Sequence, residues 1–131
     1  MSSPSSEPQW LWLELVYAIH LRQLERHGGA SGVRDPGMLE SAMARPLNLY
    51  AYGEPDLAEL AGAYCFGIVR NHPFVDGNKR TGFMAMYTFL GLNGAEFNAD
   101  EQDVVEKILL LADSKLEESE LAAWIRQHLK P

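Results

Sequence analysis

Between residues 70 and 81 the chain reads Arg70-Asn71-His72-Pro73-Phe74-Val75-Asp76-Gly77-Asn78-Lys79-Arg80-Thr81, a stretch crowded with groups that handle protons, metals and phosphates. His72 is its one side chain that takes up a proton near neutral pH without a large pKa shift, as a general base must. Asp76 is a hard oxygen donor of the kind Mg²⁺ takes together with phosphate oxygens. Gly77 permits a positive φ and a close approach of backbone to ligand. Arg70, Lys79 and Arg80 are three of the chain's eleven basic residues, opposed here by Asp76 alone. A helix is expected to start at this point, and its unpaired N–H groups, with about half a positive charge of the macrodipole, favour an anion. Lys and Arg at a helix start run against that dipole, a cost that a bound phosphate would cancel. Base, carboxylate and phosphate cradle together point to transfer of a phosphate-containing group from a nucleotide. Taken singly, each residue has a plainer reading: a His–Pro turn, an Asx-turn or cap at Asp76, solvated charge at Lys79 and Arg80.

The elements that must hold this loop are helices. Residues 1–9 are Ser/Pro-rich and read as a disordered tail, leaving 10–131 as a single domain. From about Gln9, Leu13, Val16, Tyr17 and Leu24 recur at helical spacing until His27-Gly28-Gly29. Asp35-Pro36 pairs an N-cap with a first-turn proline and predicts a short helix through Arg45, ended by Pro46. Residues 46–55 read as a loop or short hairpin. Asp56 caps a third helix with a stripe of Leu57, Leu60, Ala61, Tyr64, Cys65 and Ile68. The fourth runs from about Lys79 to Leu92, and Asn93-Gly94 stops it. Asp100 opens a fifth, and Leu121, Trp124, Ile125 and Leu129 mark a sixth. No useful stretch alternates with period two, so the expected fold class is all-α, a compact bundle of about six helices.

Composition narrows the function. Eleven basic against eighteen acidic residues leave a net charge of −7, which argues against a protein that draws its affinity from nucleic-acid phosphates or anionic lipid. The lone Cys65 excludes an internal disulfide. Phe83–Leu92, the longest apolar run, falls well short of the roughly 20 residues that span a bilayer. With no basic or apolar start to suggest a signal peptide, the expected location is the cytoplasm.

The 72–80 stretch resembles the signature of the Fic/Doc superfamily, His-x-Phe-x-Asp/Glu-Gly/Ala-Asn-Gly/Lys-Arg, matched by His72, Phe74, Asp76, Gly77, Asn78, Lys79 and Arg80. Gly28-Gly29, Gly32-Val33-Arg34-Asp35, Leu39-Glu40-Ser41-Ala42 and Arg45-Pro46 extend the resemblance to the Doc (death-on-curing) branch. That branch consists of all-helical bacterial toxins neutralised by an antitoxin. The resemblance implies that His72 is the general base for a target hydroxyl and that Asp76 binds Mg²⁺ on the nucleotide phosphates. It assigns phosphate oxygens to Asn78, Lys79 and Arg80 with backbone N–H groups of the loop, including that of Gly77. Phe74 becomes a core anchor and Arg70 a contact to nucleotide or target. The loop at 46–55 aligns with the family's flap, which docks the target segment. Adenylylating Fic proteins carry Gly in place of Lys79 and a second Arg in place of Phe83, and no complete self-inhibitory motif is present. Met84 stands where the Doc branch can carry a polar Asn. The implied function is transfer of the γ-phosphoryl group of ATP to a Ser or Thr hydroxyl of a translation protein, elongation factor Tu. The implied regulator is an antitoxin whose disordered segment folds on binding.

Three other functions compete. They are nucleotidyl (AMP) transfer, an inactive module that only binds an antitoxin, and a metal-dependent hydrolase. The last lacks a third ligand at metal-site spacing. Elsewhere, His20 reads as a satisfied, partly buried histidine. His27 and His128 lie near helix ends, and Cys65 reads as a small core residue. Trp10 and Trp12 fall on different helix faces, and Glu117, Glu118 and Glu120 read as a solvated helix start.

Overall fold

The end signals written into the sequence set most of the helix boundaries. The computed structural model describes residues 7–130 and contains α1 (Leu13–His27), α2 (Pro36–Tyr52), α3 (Leu57–Asn71), α4 (Asn78–Leu92), α5 (Glu101–Ala112) and α6 (Glu118–Gln127). Gly28 closes α1 at φ 78°, a conformation that costs glycine little. The Asp35 carboxylate accepts the N–H of Met38 at 3.1 Å, with Pro36 in the first turn of α2. Asp56 and Glu59 form a reciprocal capping box at α3, as Glu117 and Glu120 do at α6. Among the described residues the only β-type pairings are two isolated bridges, Val33–Phe74 and Phe97–Leu129. The all-α expectation is met.

Helix α3 is the axis of the bundle. It packs against α2, α4, α5 and α6, and it is apolar on almost every side, as a central helix must be. Tyr64 and Ile68 of α3 join Phe89 of α4, Leu39 of α2 and Leu121 and Ile125 of α6 in one continuous core. Small residues let the helices close up. A Cβ on Gly67 would stand 3.0 Å from Ala42 of α2, and one on Gly82 of α4 would stand 2.6 Å from Val69 Cγ2. Cys65 is fully buried at this axis, and burial pushes its thiol up to about 12, so it stays protonated and serves as packing.

Two boundaries differ from the sequence reading. Pro46 does not end α2, which runs on to Tyr52 with Pro46 buried inside it. Proline withholds one N–H from the carbonyl of Ala42. That carbonyl lies at the tight crossing with Gly67, where the α2–α3 contact outweighs the missing bond. The expected flap loop at 46–55 therefore contracts to the turn from Gly53 to Pro55. The start of α1 is also later than Gln9. The backbone of Gln9 pairs with the Asn93 side chain, giving its N–H to Oδ1 (2.8 Å) and taking Nδ2 on its carbonyl (3.0 Å). Leu11 gives its N–H to the Tyr64 hydroxyl (3.1 Å). These tertiary partners hold residues 9–12 outside the helix, with Trp10 between Tyr50 and Phe89 and Trp12 half exposed. Residues 1–6 of the expected tail lie outside the described residues.

The α3–α4 crossing can be tested on one helix. A methyl at Gly82 meets Val69 and, at 3.3 Å, the carbonyl of Cys65. Overpacking of this kind costs about 1–3 kcal/mol, against about 1 kcal/mol returned by alanine's helix propensity. Gly82→Ala is thus expected to lower the urea midpoint. Gly91→Ala, whose methyl meets nothing within 4 Å, is expected to raise it. Equal shifts in the two variants would contradict the packing account. Beside Gly82, the buried Thr81 hydroxyl has no hydrogen-bond partner among the described residues. Thr81→Val removes the hydroxyl at nearly constant shape and is expected to stabilise by about 1 kcal/mol in the same unfolding assay.

Candidate active site at the α3–α4 loop

The loop begins where α3 ends. His72 is in the left-handed conformation (φ 53°, ψ 53°), and its N–H is returned to the carbonyl of Ile68. A non-glycine residue there costs about 1–2 kcal/mol, so its surroundings must hold it. The segment 32–38 does so. The Arg34 guanidinium donates to the carbonyls of His72 (Nε, 2.7 Å) and Asn71 (Nη2, 3.0 Å). The carbonyl of Pro73 accepts the N–H groups of Arg34 (2.7 Å) and Asp35 (3.0 Å). Val75 N–H goes to Gly32, and the Asn71 side chain to the carbonyl of Met38.

The far half of the loop is tied to the core. Phe74 is fully buried, and Asn78 grips its backbone, accepting the Phe74 N–H (2.9 Å) and donating to its carbonyl (3.0 Å). His20 of α1 stacks on the Phe74 ring at 3.8 Å and bonds the carbonyl of Asp76 through Nε2 at 2.8 Å. A carbonyl only accepts, so Nε2 carries the proton. Gly77 follows at φ 77° as the N-cap of α4. The Asp76 carboxylate takes the N–H of Gly77 on Oδ1 (2.9 Å) and that of Ala30 on Oδ2 (3.4 Å). It rests so close to Gly29 that a Cβ there would lie 2.9 Å from Oδ2.

The groups left facing solvent are those able to react or to bind anions. The His72 ring is exposed and has no hydrogen-bond partner among the described residues. Arg70, Lys79 and Arg80 are exposed and carry no ion pair there either, while Arg45, Lys107, Arg126 and Lys130 are each matched to a carboxylate. Arg70 lies over the Phe66 ring at 5.1 Å. The first turn of α4 holds no acidic residue, and its first internal bond is Thr81 N–H to Gly77, which leaves the N–H groups of Asn78, Lys79 and Arg80 free of backbone partners.

The residues named from sequence thus share one loop and its two flanking helix ends. The side chain of Asn78 is the exception in role. Both of its polar atoms are engaged by Phe74, so its backbone N–H is what it retains for an anion. Asp76 suits a hard divalent ion whose remaining ligands come from phosphates. It has no cationic partner, and no group of three His, Cys, Asp or Glu able to hold a metal occurs among the described residues. The sequence does not disclose the role of Arg34, and His20 is the satisfied, buried histidine expected, with a loop carbonyl as the partner the sequence does not name. Both bind carbonyls of the loop, which carry no mark in the sequence; Arg34 stands within the Gly32-Val33-Arg34-Asp35 stretch of the family resemblance, but nothing there shows what it binds.

Comparison with known proteins identifies the family. The profile of the Fic/DOC family matches residues 10–90. The chain is 46% identical over 76 residues to Toxin Doc of Mycolicibacterium smegmatis (strain ATCC 700084 / mc(2)155), a stretch covering 56% of this chain and 58% of that protein. It is 31% identical over 115 residues to Protein kinase doc of Escherichia phage P1, covering 87% of this chain and 90% of that protein. The family match takes in α1, α2, α3, the 32–38 segment and the whole loop that carries His72 and Asp76. With a family match over more than half of its length and relatives of the Doc type, the chain belongs to the Fic/DOC family, on its Doc branch.

Proposed function

We propose that this chain is a Doc-type toxin that moves the γ-phosphoryl group of ATP onto a Ser or Thr hydroxyl of a translation protein, with elongation factor Tu as the target. The observation that carries the reading is the exposed, unpartnered His72 ring on the same loop as the free N–H groups and unpaired cations at the start of α4. The names of the two relatives, a toxin and a protein kinase, support it.

In this reading His72 takes the proton of the attacking hydroxyl as its oxygen bonds to the γ-phosphorus. The bond to the β,γ-bridging oxygen breaks, ADP leaves, and His72 returns its proton to the water around its ring. The N–H groups of Asn78, Lys79 and Arg80, with the two cationic side chains, offset charge on the phosphoryl oxygens. Asp76 would hold Mg²⁺, which when bound neutralises phosphate charge. Lys79 decides which group moves. A glycine leaves room for the outer phosphates of ATP, so that the α-phosphate would meet the target. The lysine stem fills that room, and its ammonium draws the γ-phosphate to the hydroxyl instead.

Such a toxin works in the cytoplasm, and no helix among the described residues is long and apolar enough to cross a membrane. A cognate antitoxin is its proposed regulator. A disordered antitoxin segment would fold as an amphipathic helix against exposed apolar surface such as Val105 and Leu109, one turn apart on α5.

His72→Ala is expected to lower transfer by about 10²–10⁴ while the urea midpoint stays near wild type, since the ring makes no core contact. Wild-type rates in the folded variant would remove His72 as the base. ATP labelled at the α or γ position identifies the group: γ label and a mass gain of one phosphoryl are expected on the target. Retained α label would establish nucleotidyl transfer instead, and no label with a folded chain would leave an antitoxin-binding module. Lys79→Gly is expected to lose phosphoryl transfer.

A further inference from the structure

We infer that Arg34 is the positioning residue for His72, locking the backbone that carries the ring; its consequence for transfer rests on the function proposed above. The three successive carbonyls of Asn71, His72 and Pro73 leave the end of α3 without helical donors. All three are taken by residues 34 and 35. One guanidinium spans the first two at 3.0 and 2.7 Å, and the backbone N–H groups of Arg34 and Asp35 take the third at 2.7 and 3.0 Å.

The guanidinium has no carboxylate partner among the described residues, so these carbonyls are its whole set of polar contacts. It also places a cation at the negative end of α3. Its planar fork fits two neighbouring acceptors at once, which the single ammonium of lysine does not. The joint it spans is the left-handed one, where His72 turns out of the helix at φ 53°. With the two carbonyls released, His72 is free to relax towards negative φ, and its ring swings with the backbone. The phosphate-facing N–H groups belong to α4 and are anchored separately, through Asn78 on Phe74 and His20 on Asp76. Loss of the fork should therefore disturb the base and spare the nucleotide groups. Arg34 is exposed and touches the loop through backbone oxygens, so the core does not depend on it.

The test uses the full chain with Arg34→Ala and Arg34→Lys. The first readout is NMR of the His72 backbone, whose Cα shift and amide coupling report φ and need no activity. Both variants are expected to shift His72 while the signals of Asn78 to Thr81 stay in place. The second readout is ATP-dependent transfer, with kcat expected to fall about 10- to 100-fold, as an ångström-scale misplacement does. KM for ATP is expected to stay within about twofold. Millimolar guanidinium is expected to restore part of kcat to Arg34→Ala. Unmoved His72 signals in both variants would overturn the inference, as would loss of the folded state in both, which would make Arg34 a stability residue. A KM effect without a kcat effect would overturn it too. If wild type transfers neither label yet His72 moves in the variants, the functional reading falls and the backbone lock is supported.

Discussion

The side-chain amide of Asn78 closes on the peptide groups of Phe74, one bond in each direction, and most of the active loop hangs on that clasp. Phe74 is buried, so its backbone cannot turn to water, and an unpaired buried N–H or carbonyl costs about 1–3 kcal/mol. A carboxamide carries a donor and an acceptor on two adjacent atoms, so it can serve the N–H and the carbonyl of one residue at once. Because Asn78 is also the first residue of α4, the same clasp fixes where the helix starts relative to the loop. The helix start in turn fixes where its free N–H groups lie. A packing residue, a loop and an anion-facing helix end are thus joined through four atoms.

The loop is then divided between two supports with different chemistry. On the α1 side the contact is aromatic and buried, His20 flat on Phe74 and bonded to Asp76. On the 32–38 side it is polar and exposed, a set of N–H groups feeding carbonyls. Outside the loop, Arg45, Lys107, Arg126 and Lys130 are matched to carboxylates while Arg22, Arg26 and Lys115 have no ion pair among the described residues; burial pushes Asp56 up, but the guanidinium of Arg126 holds it below the usual carboxylate range. The cations beside the loop have no such partner among the described residues, in a chain of net charge −7. An acidic protein has kept its local positive field where an anion can meet it.

What the sequence makes legible follows from the range of its rules. Asp35-Pro36, Asp56 and Gly28 mark boundaries correctly because a cap is satisfied within a few residues of itself. The loop from His72 to Arg80 is legible for a similar reason: its chemistry is contiguous. Pro46 misleads because the local cost of a proline is offset at a tertiary crossing, Ala42 against Gly67, that no local rule contains. The start of α1 misleads because Asn93 and Tyr64, more than fifty residues away, capture its first N–H groups. Arg34 and Asn78 both stand in the stretches that carry the family resemblance, yet what they bind is not legible, for one cause: both act on backbone carbonyls or amides, which every residue has and no letter records.

The antiparallel bridge between Val33 and Phe74 gives the loop a counted length. Bonds on either side of it, from the Arg34 N–H to the Pro73 carbonyl and from the Val75 N–H to the Gly32 carbonyl, fix the alignment of the two segments residue against residue. An inserted or deleted residue between His72 and Asn78 cannot be absorbed as slack. It would slide Phe74 out of its pocket or carry Asp76 past Gly29, where the carboxylate already lies against bare backbone. The loop can therefore accept substitution at constant length but not a change of length. Its spacing is a form of inheritance enforced by register.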